Sequence, residues 1–401
     1  MRSGTEAEMS MEIPVYPEDF YGDAFIRDPL PRYADMRAMG PVIWLSHQNA
    51  YAVARHAECQ DVLRRPEIFQ SGRGLSLNDD VNKNLIGSTL NSDGDAHRRK
   101  RSITATPIMP KNLVPFAAEI ERRAEALAEA LAIRGTFDAV QDFAQVLPLS
   151  FVRELIGLPK EGTENMLNWA AATFDAMEGF NERSQDAFPR MRELRAFLEG
   201  YGSKEKLAEG GLAHRIFGEA EKPGIPEKEA AEQLRDYIPP SLDTTISSLG
   251  FAAYYFATNP DQWDLVRDDP SLIPSAIEEV VRLATPIRAF SRYVGEDTEI
   301  SEIPIKAGKR IIVIYASGNR DERVFENPDR FDVTRNARKH LGFGHGVHSC
   351  MGMHLARMEM RLLLEAMAKR VARWEILGEP TWVMNNSIRA IAKMPVRIHA
   401  I

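Results

Sequence analysis

The chain has 401 residues, 44% of them hydrophobic, and a formal charge of −8. That apolar content can bury a large core and argues against a disordered chain. A mildly acidic balance without a long basic run argues against nucleic-acid binding, and two distant cysteines, Cys59 and Cys350, argue against a disulfide framework and fit a reducing cytoplasm. The first twenty residues lack the apolar core of a secretion signal. Nowhere do about 18 consecutive apolar residues occur, so no membrane-spanning helix is expected.

In chain order, Pro41–Leu45 and Ala50–Ala54 read as a β-hairpin around His47-Gln48-Asn49. From about residue 115 to 260 helical periodicity dominates, with apolar residues three and four apart in Ala117–Ile133 and Arg190–Glu199. Pro226 to Asn259 reads as one long helix, and Pro239-Pro240 in its interior should break the hydrogen-bond ladder and kink it. Short strands follow between Glu299 and Ala316, including the β-branched run Ile311–Ile314. A last helix should begin at Met351 and run through Arg370. No linker or repeat divides the chain, so a single, mostly α domain with a minor β part is expected over residues 1–401.

The most informative segment is Phe343-Gly-His-Gly-Val-His-Ser-Cys-Met-Gly352. Gly344 and Gly346 precede the cysteine and Gly352 follows it, and glycine permits positive φ and close backbone approach. A thiolate just before a helix is stabilised by the dipole and the free N–H groups, which suits a metal-binding sulfur. Gly346 and Gly352 could leave room for a flat macrocycle. Two other readings stay open at this point. His345, His348, Cys350 and His354 could form a zinc site, or Cys350 could be a buried structural cysteine.

The segment resembles the haem-binding loop of the cytochrome P450 family, Phe-Gly-x-Gly-x-His-x-Cys-x-Gly, with all six fixed positions filled. The resemblance implies the P450 fold, a single large triangular domain, and haem b ligated by Cys350. It implies that Phe343 packs near the sulfur and that His348 bonds a haem propionate. Three further segments resemble the family in the expected order. His97 and Arg101, and separately Arg292, would bind propionates. Glu279 and Arg282 would join Arg330 of Glu326-Asn-Pro-Asp-Arg-Phe331 in a buried network that fixes the fold around the cysteine. Asp243-Thr244 match the acid–alcohol pair of an oxygen-binding groove, with Asp243 as proton relay and Thr244 holding a water by hydrogen bond. Pro240 and Ser241 depart from the family's small-residue pair there.

The implied activity is a haem-thiolate monooxygenase placing one oxygen atom from O2 into a small organic molecule. Electrons would come from an external ferredoxin and ferredoxin reductase, because the chain carries no flavin motif and too few cysteines for a four-cysteine cluster. Arg98, Arg99, Lys100, Arg335, Arg338 and Lys339 are candidate docking residues. A peroxygenase, which would need no electron donor, and a non-catalytic haem sensor are the competing classes. Arg73, Ser76, Phe174, Arg235, Ile287 and Phe290 resemble bacterial members that oxidise para-substituted benzoic acids. There Arg73, Ser76 and Arg235 would anchor the carboxylate and Phe174 and Phe290 would clamp the ring; Met177 stands where another phenylalanine is expected. Hydroxylation or O-demethylation of an aromatic acid follows as the expectation, with a terpene or other non-aromatic substrate as the alternative. Asn385–Arg389 would close the pocket.

Overall fold

In the computed structural model, which describes residues 13–401 except 86, 162, 178, 180 and 223, the hairpin forms as expected. Ile43–Leu45 pairs antiparallel with Ala50–Val53, and Asn49 takes the positive φ (48°) that asparagine tolerates. The hairpin belongs to a six-stranded sheet in the order Val15–Tyr16, Ile43–Leu45, Ala50–Val53, Arg310–Val313, Phe290–Val294, Phe69–Gln70. Ile311, Ile312 and Val313 are fully buried. Their β-branched, two-sided apolar character suits a strand covered on both faces. That strand runs parallel to the hairpin on one side and antiparallel to Phe290–Val294 on the other. Alternation along Phe290–Val294 sends Phe290 and Arg292 to one face and Ser291 to the other.

Helices make the rest of the body. Pro110–Arg134, which contains Ala117–Ile133, packs on Met353–Ala368. Glu182–Tyr201, which contains Arg190–Glu199, packs on Met166–Met177. Ile238–Thr258 crosses the helical core and touches Met166–Met177, Ile273–Ala284 and Met353–Ala368. It ends at Asn259, where Pro260 disfavours a further helical turn.

Two expectations change. The stretch from Pro226 to Asn259 is three pieces rather than one kinked helix: Glu227–Glu232, a 3₁₀ turn Gln233–Asp236, and Ile238–Thr258. Pro239 and Pro240 sit in the first turn of the last piece, where N–H groups have no intrahelical acceptor and their loss is tolerated. The break therefore falls ahead of the prolines. The last helix begins at Met353, not Met351, and ends at Ala368.

Candidate active site

Cys350 is held in a tight loop. Its N–H donates to the Phe343 carbonyl at 2.7 Å, and Ser349 N–H donates to Gly346 at 3.1 Å. Gly344 and Gly346 both have φ near 70°, a conformation glycine adopts without strain. A Cβ on Gly346 would lie 2.4 Å from the Leu63 carbonyl, whereas one on Gly352 would meet only the cysteine sulfur at 3.9 Å. Gly346 is thus required by the neighbouring backbone rather than by a macrocycle. Burial pushes the Cys350 thiol up, against the pull of the Gly352 N–H, Arg101, Arg357 and the Met353 N–H. The helix start does aim donors at the sulfur, as expected. Phe343 is fixed by Arg357, whose guanidinium lies 4.6 Å over its ring. Arg357 is in turn held by Glu278 at 2.6 Å, and Glu278 also meets His340 at 3.1 Å.

A cavity of about 210 Å³, partly open to solvent, lies over this loop. Cys350, Phe343, His348, Arg101 and Arg292 line it. The His97 and His348 rings pack against each other at a tilt, with centroids 4.1 Å apart. The Nε2 atoms of both are buried and have no hydrogen-bond partner among the described residues. His348 Nε2 stands 3.7 Å from the Asp93 carboxylate, beyond hydrogen-bond reach. Burial lowers His97 to about 4, with His348 and Arg101 pushing the same way. The His348 imidazole and two guanidiniums line the cavity, with the orphaned His97 imidazole packed behind His348, and the set asks for anionic partners. A haem, with an iron for the sulfur and two carboxylates on its rim, fits that donor set. The zinc alternative is not assembled: His345 accepts from Arg64 at 2.9 Å while His348 faces His97. No group of three metal-ligating side chains occurs among the described residues.

The opposite wall is one face of the helix Ile238–Thr258 and the turn before it. Asp236, Pro240, Ser241, Thr244, Thr245 and Ser248 line the cavity. Thr244 donates its hydroxyl to the Pro240 carbonyl at 2.8 Å. Asp243 is turned away from the lining. Burial, then the Asp175 carboxylate, pushes it up to about 7. Asp175 lies on the helix Met166–Met177, where it accepts the Asn386 N–H at 2.8 Å. Sequence reasoning missed Asp236 and also Glu359, a cavity-lining acid that burial raises to about 8. Asp236 lies ahead of the helix that carries Thr244, across a 3₁₀ turn, so helical phase alone could not have found it.

The substrate residues divide. Phe174, Ile287 and Phe290 line the cavity. Arg73, Ser76, Met177 and Arg235 are not among its lining residues. Arg73 is exposed and lies 3.9 Å over the Tyr293 ring. Gly74 is pressed against the Tyr293 backbone, where a Cβ would come within 2.6 Å, and this packing leaves Arg73 on the outside. Ser76 is fully buried and donates to the Met177 carbonyl. Arg235 donates to the Glu232 carbonyl at 3.2 Å. The segment Asn385–Ser387 does not close the cavity but braces its wall from behind. Ser387 donates to the Phe174 carbonyl at 2.7 Å, and Ile388 bridges to Ile287.

The buried network forms around Glu279 with one change of member. Arg282 reaches Glu279 through Nε at 2.7 Å and a second nitrogen at 2.8 Å. The third partner is Arg335 at 3.0 Å, not Arg330. Arg330 is exposed and supplies only its backbone carbonyl, as Pro328 does. Of the six candidate docking residues, Arg335 therefore points inward and Lys100 is buried. Arg98, Arg99, Arg338 and Lys339 are exposed, with Arg98 paired to Asp95 and Arg99 to Glu229.

Among known proteins, the family model described as Cytochrome P450 matches residues 211–376. The chain is 34% identical to Cytochrome p450 CYP199A2 of Rhodopseudomonas palustris, over 98% of this chain and 97% of that one. It is 30% identical to Linalool 8-monooxygenase of Pseudomonas putida, over 91% and 94% respectively. The solved structure of cytochrome P450-153 from Novosphingobium aromaticivorans matches with a TM-score of 0.81 at 30% identity, covering 94% of this chain and 98% of the other.

Proposed function

Because the chain belongs to the cytochrome P450 family and is a monooxygenase of it, we propose that Cys350 ligates a haem beneath the cavity and that the substrate is a compact aromatic molecule. The observation that carries the substrate reading is the wall of Phe174, Ile287 and Phe290 in the same cavity that Cys350 lines. Flat apolar side chains clamp a ring and leave its edge to the reacting centre. Hydroxylation and O-demethylation both begin at a C–H bond held there. A carboxylic acid would need Arg73, Ser76 or Arg235 turned into the cavity, and the Tyr293 ring, the Met177 carbonyl and the Glu232 carbonyl hold them elsewhere.

When bound, a haem with a thiolate ligand activates dioxygen, the electron-rich sulfur favouring O–O cleavage. His97, His348, Arg101 and Arg292 would hold its propionates, giving the orphaned imidazole nitrogens their partners. Thr244 presents a hydroxyl on the facing wall, and Asp243 beside it has an acidity near 7. A carboxyl so tuned holds and releases a proton at neutral pH. The apolar wall keeps bulk water from supplying protons indiscriminately. We assign the electrons to a ferredoxin and its reductase, docking near the exposed Arg338 and Lys339.

The first test is the spectrum of the reduced protein with carbon monoxide. A strongly red-shifted Soret band is expected, and Cys350→Ser should abolish it. Titration of the ferric protein with small para-substituted benzenes should then raise its spin state, and Phe174→Ala should weaken that response. An unshifted band in the wild type would remove Cys350 as ligand. Full turnover on peroxide without an electron donor would replace the monooxygenase reading by the peroxygenase one.

A further inference from the structure

Asp236 is an acid in the cavity wall that oxygen activation does not use. It ends the 3₁₀ turn just ahead of the helix Ile238–Thr258. It lines the same cavity as Pro240, Thr244 and Ser248 of that helix. It stands ahead of the helix, across the turn from the stretch that carries Thr244. One of its oxygens accepts the Thr89 N–H at 2.8 Å, so the carboxyl is fixed in direction. Burial pushes its pKa up, while Thr89, Arg235 and Lys100 pull it back.

We infer that Asp236 selects the head group of the substrate, accepting a hydrogen bond from a neutral hydroxyl, phenolic or alcoholic, and rejecting a carboxylate. The inference rests on the reading of this cavity as the site for a compact aromatic molecule. A hydroxyl donating to a carboxylate makes a charge-assisted hydrogen bond, stronger than a neutral pair. Two carboxylates meeting in a poorly solvated cavity repel, and one must take up a proton before both can be seated. An ammonium head group gains less, because Lys100 and Arg235 already set positive charge against Asp236. Asp236 and Thr244 line the same cavity, and a substituted ring seated between them would meet both. Phe174 and Phe290 supply the faces against which that ring would lie.

The test uses the haem-loaded protein and three matched probes: a para-alkylphenol, the para-alkylbenzoate and the para-alkyltoluene. Affinity is read by calorimetry and by the ferric spin-state change. The wild type should bind the phenol about tenfold or more tightly than either of the others. Asp236→Asn keeps an oxygen for the Thr89 N–H and an unchanged carbon monoxide spectrum would show the haem site intact. It should reduce the preference for phenol over toluene and strengthen benzoate binding by about tenfold. Equal binding of phenol and toluene by the wild type, or benzoate as its tightest ligand, overturns the role of Asp236 and leaves the aromatic site standing. An unchanged phenol-to-benzoate ratio in Asp236→Asn does the same. Failure of all three probes to bind, with a normal carbon monoxide spectrum, overturns the aromatic reading itself and the head-group assignment with it.

Discussion

Thr244 has its hydroxyl on the cavity wall and gives it to the Pro240 carbonyl at 2.8 Å. Thr244→Ala removes a cavity-lining hydroxyl next in sequence to the near-neutral Asp243. NADH use should continue while product per NADH falls several-fold, with the carbon monoxide spectrum unchanged; equal product per NADH would remove Thr244 from proton handling. Glu359 makes a pH prediction. Burial raises it to about 8 in the folded protein, against an ordinary value of 4.5. Between those values the unfolded chain is ionised there and the folded one is protonated, so this group's contribution to stability falls as pH rises and levels off above the folded value. The unfolding free energy of the wild type should therefore drop between pH 6 and 8 relative to Glu359→Gln, by about 1.4 kcal/mol per pH unit, and run parallel to it above pH 8. Parallel curves throughout would mean that Glu359 is ionised in the fold. Cys350, His348, His97 and Arg101 were legible as residues because spacing and type are sequence properties. Asp236 and Glu359 were not, because what distinguishes a buried acid is its surroundings.

At the scale of elements, Glu279 joins the helix Ile273–Ala284 to the segment that leads to the cysteine loop. Its carboxylate is fully buried between Arg282 and Arg335. Glu279→Ala leaves two guanidiniums without their counter-charge and should cost about 3–5 kcal/mol, lowering the thermal midpoint and the yield of haem-loaded protein. Arg335→Ala should cost about 1–3 kcal/mol, since Arg282 still satisfies Glu279. Arg330→Ala should stay within about 0.5 kcal/mol, because its side chain is solvated and only its carbonyl is used. The reverse order of the two arginine variants would restore the expected triad. The Glu-x-x-Arg pair was legible because residues three apart on a helix meet. Which later arginine completes it was not, since the backbone turn through Asn327 (φ 45°) decides which side chain points inward.

At the scale of the whole molecule, the chain carries a formal charge of −8, yet exposed cations stand in the segment just ahead of the cysteine loop. Arg338 and Lys339 are exposed there, and an acidic donor protein would meet them by long-range attraction. Replacing both by Glu should slow donor-supported turnover several-fold at low ionic strength, and added salt should narrow the gap to the wild type. A gap that ignores salt would place the docking site elsewhere. The sequence by itself determined the mostly helical body, the hairpin, the central β-branched strand and the cysteine loop, because each rests on local periodicity or on a short fixed spacing. The tertiary structure alone decided that Pro239 and Pro240 begin a helix rather than kink one, that Arg335 replaces Arg330, and that Arg73 and Ser76 leave the cavity to Asp236. Those outcomes depend on packing between segments far apart in the chain, such as Gly74 against Tyr293 and Thr89 against Asp236, and no local pattern encodes them.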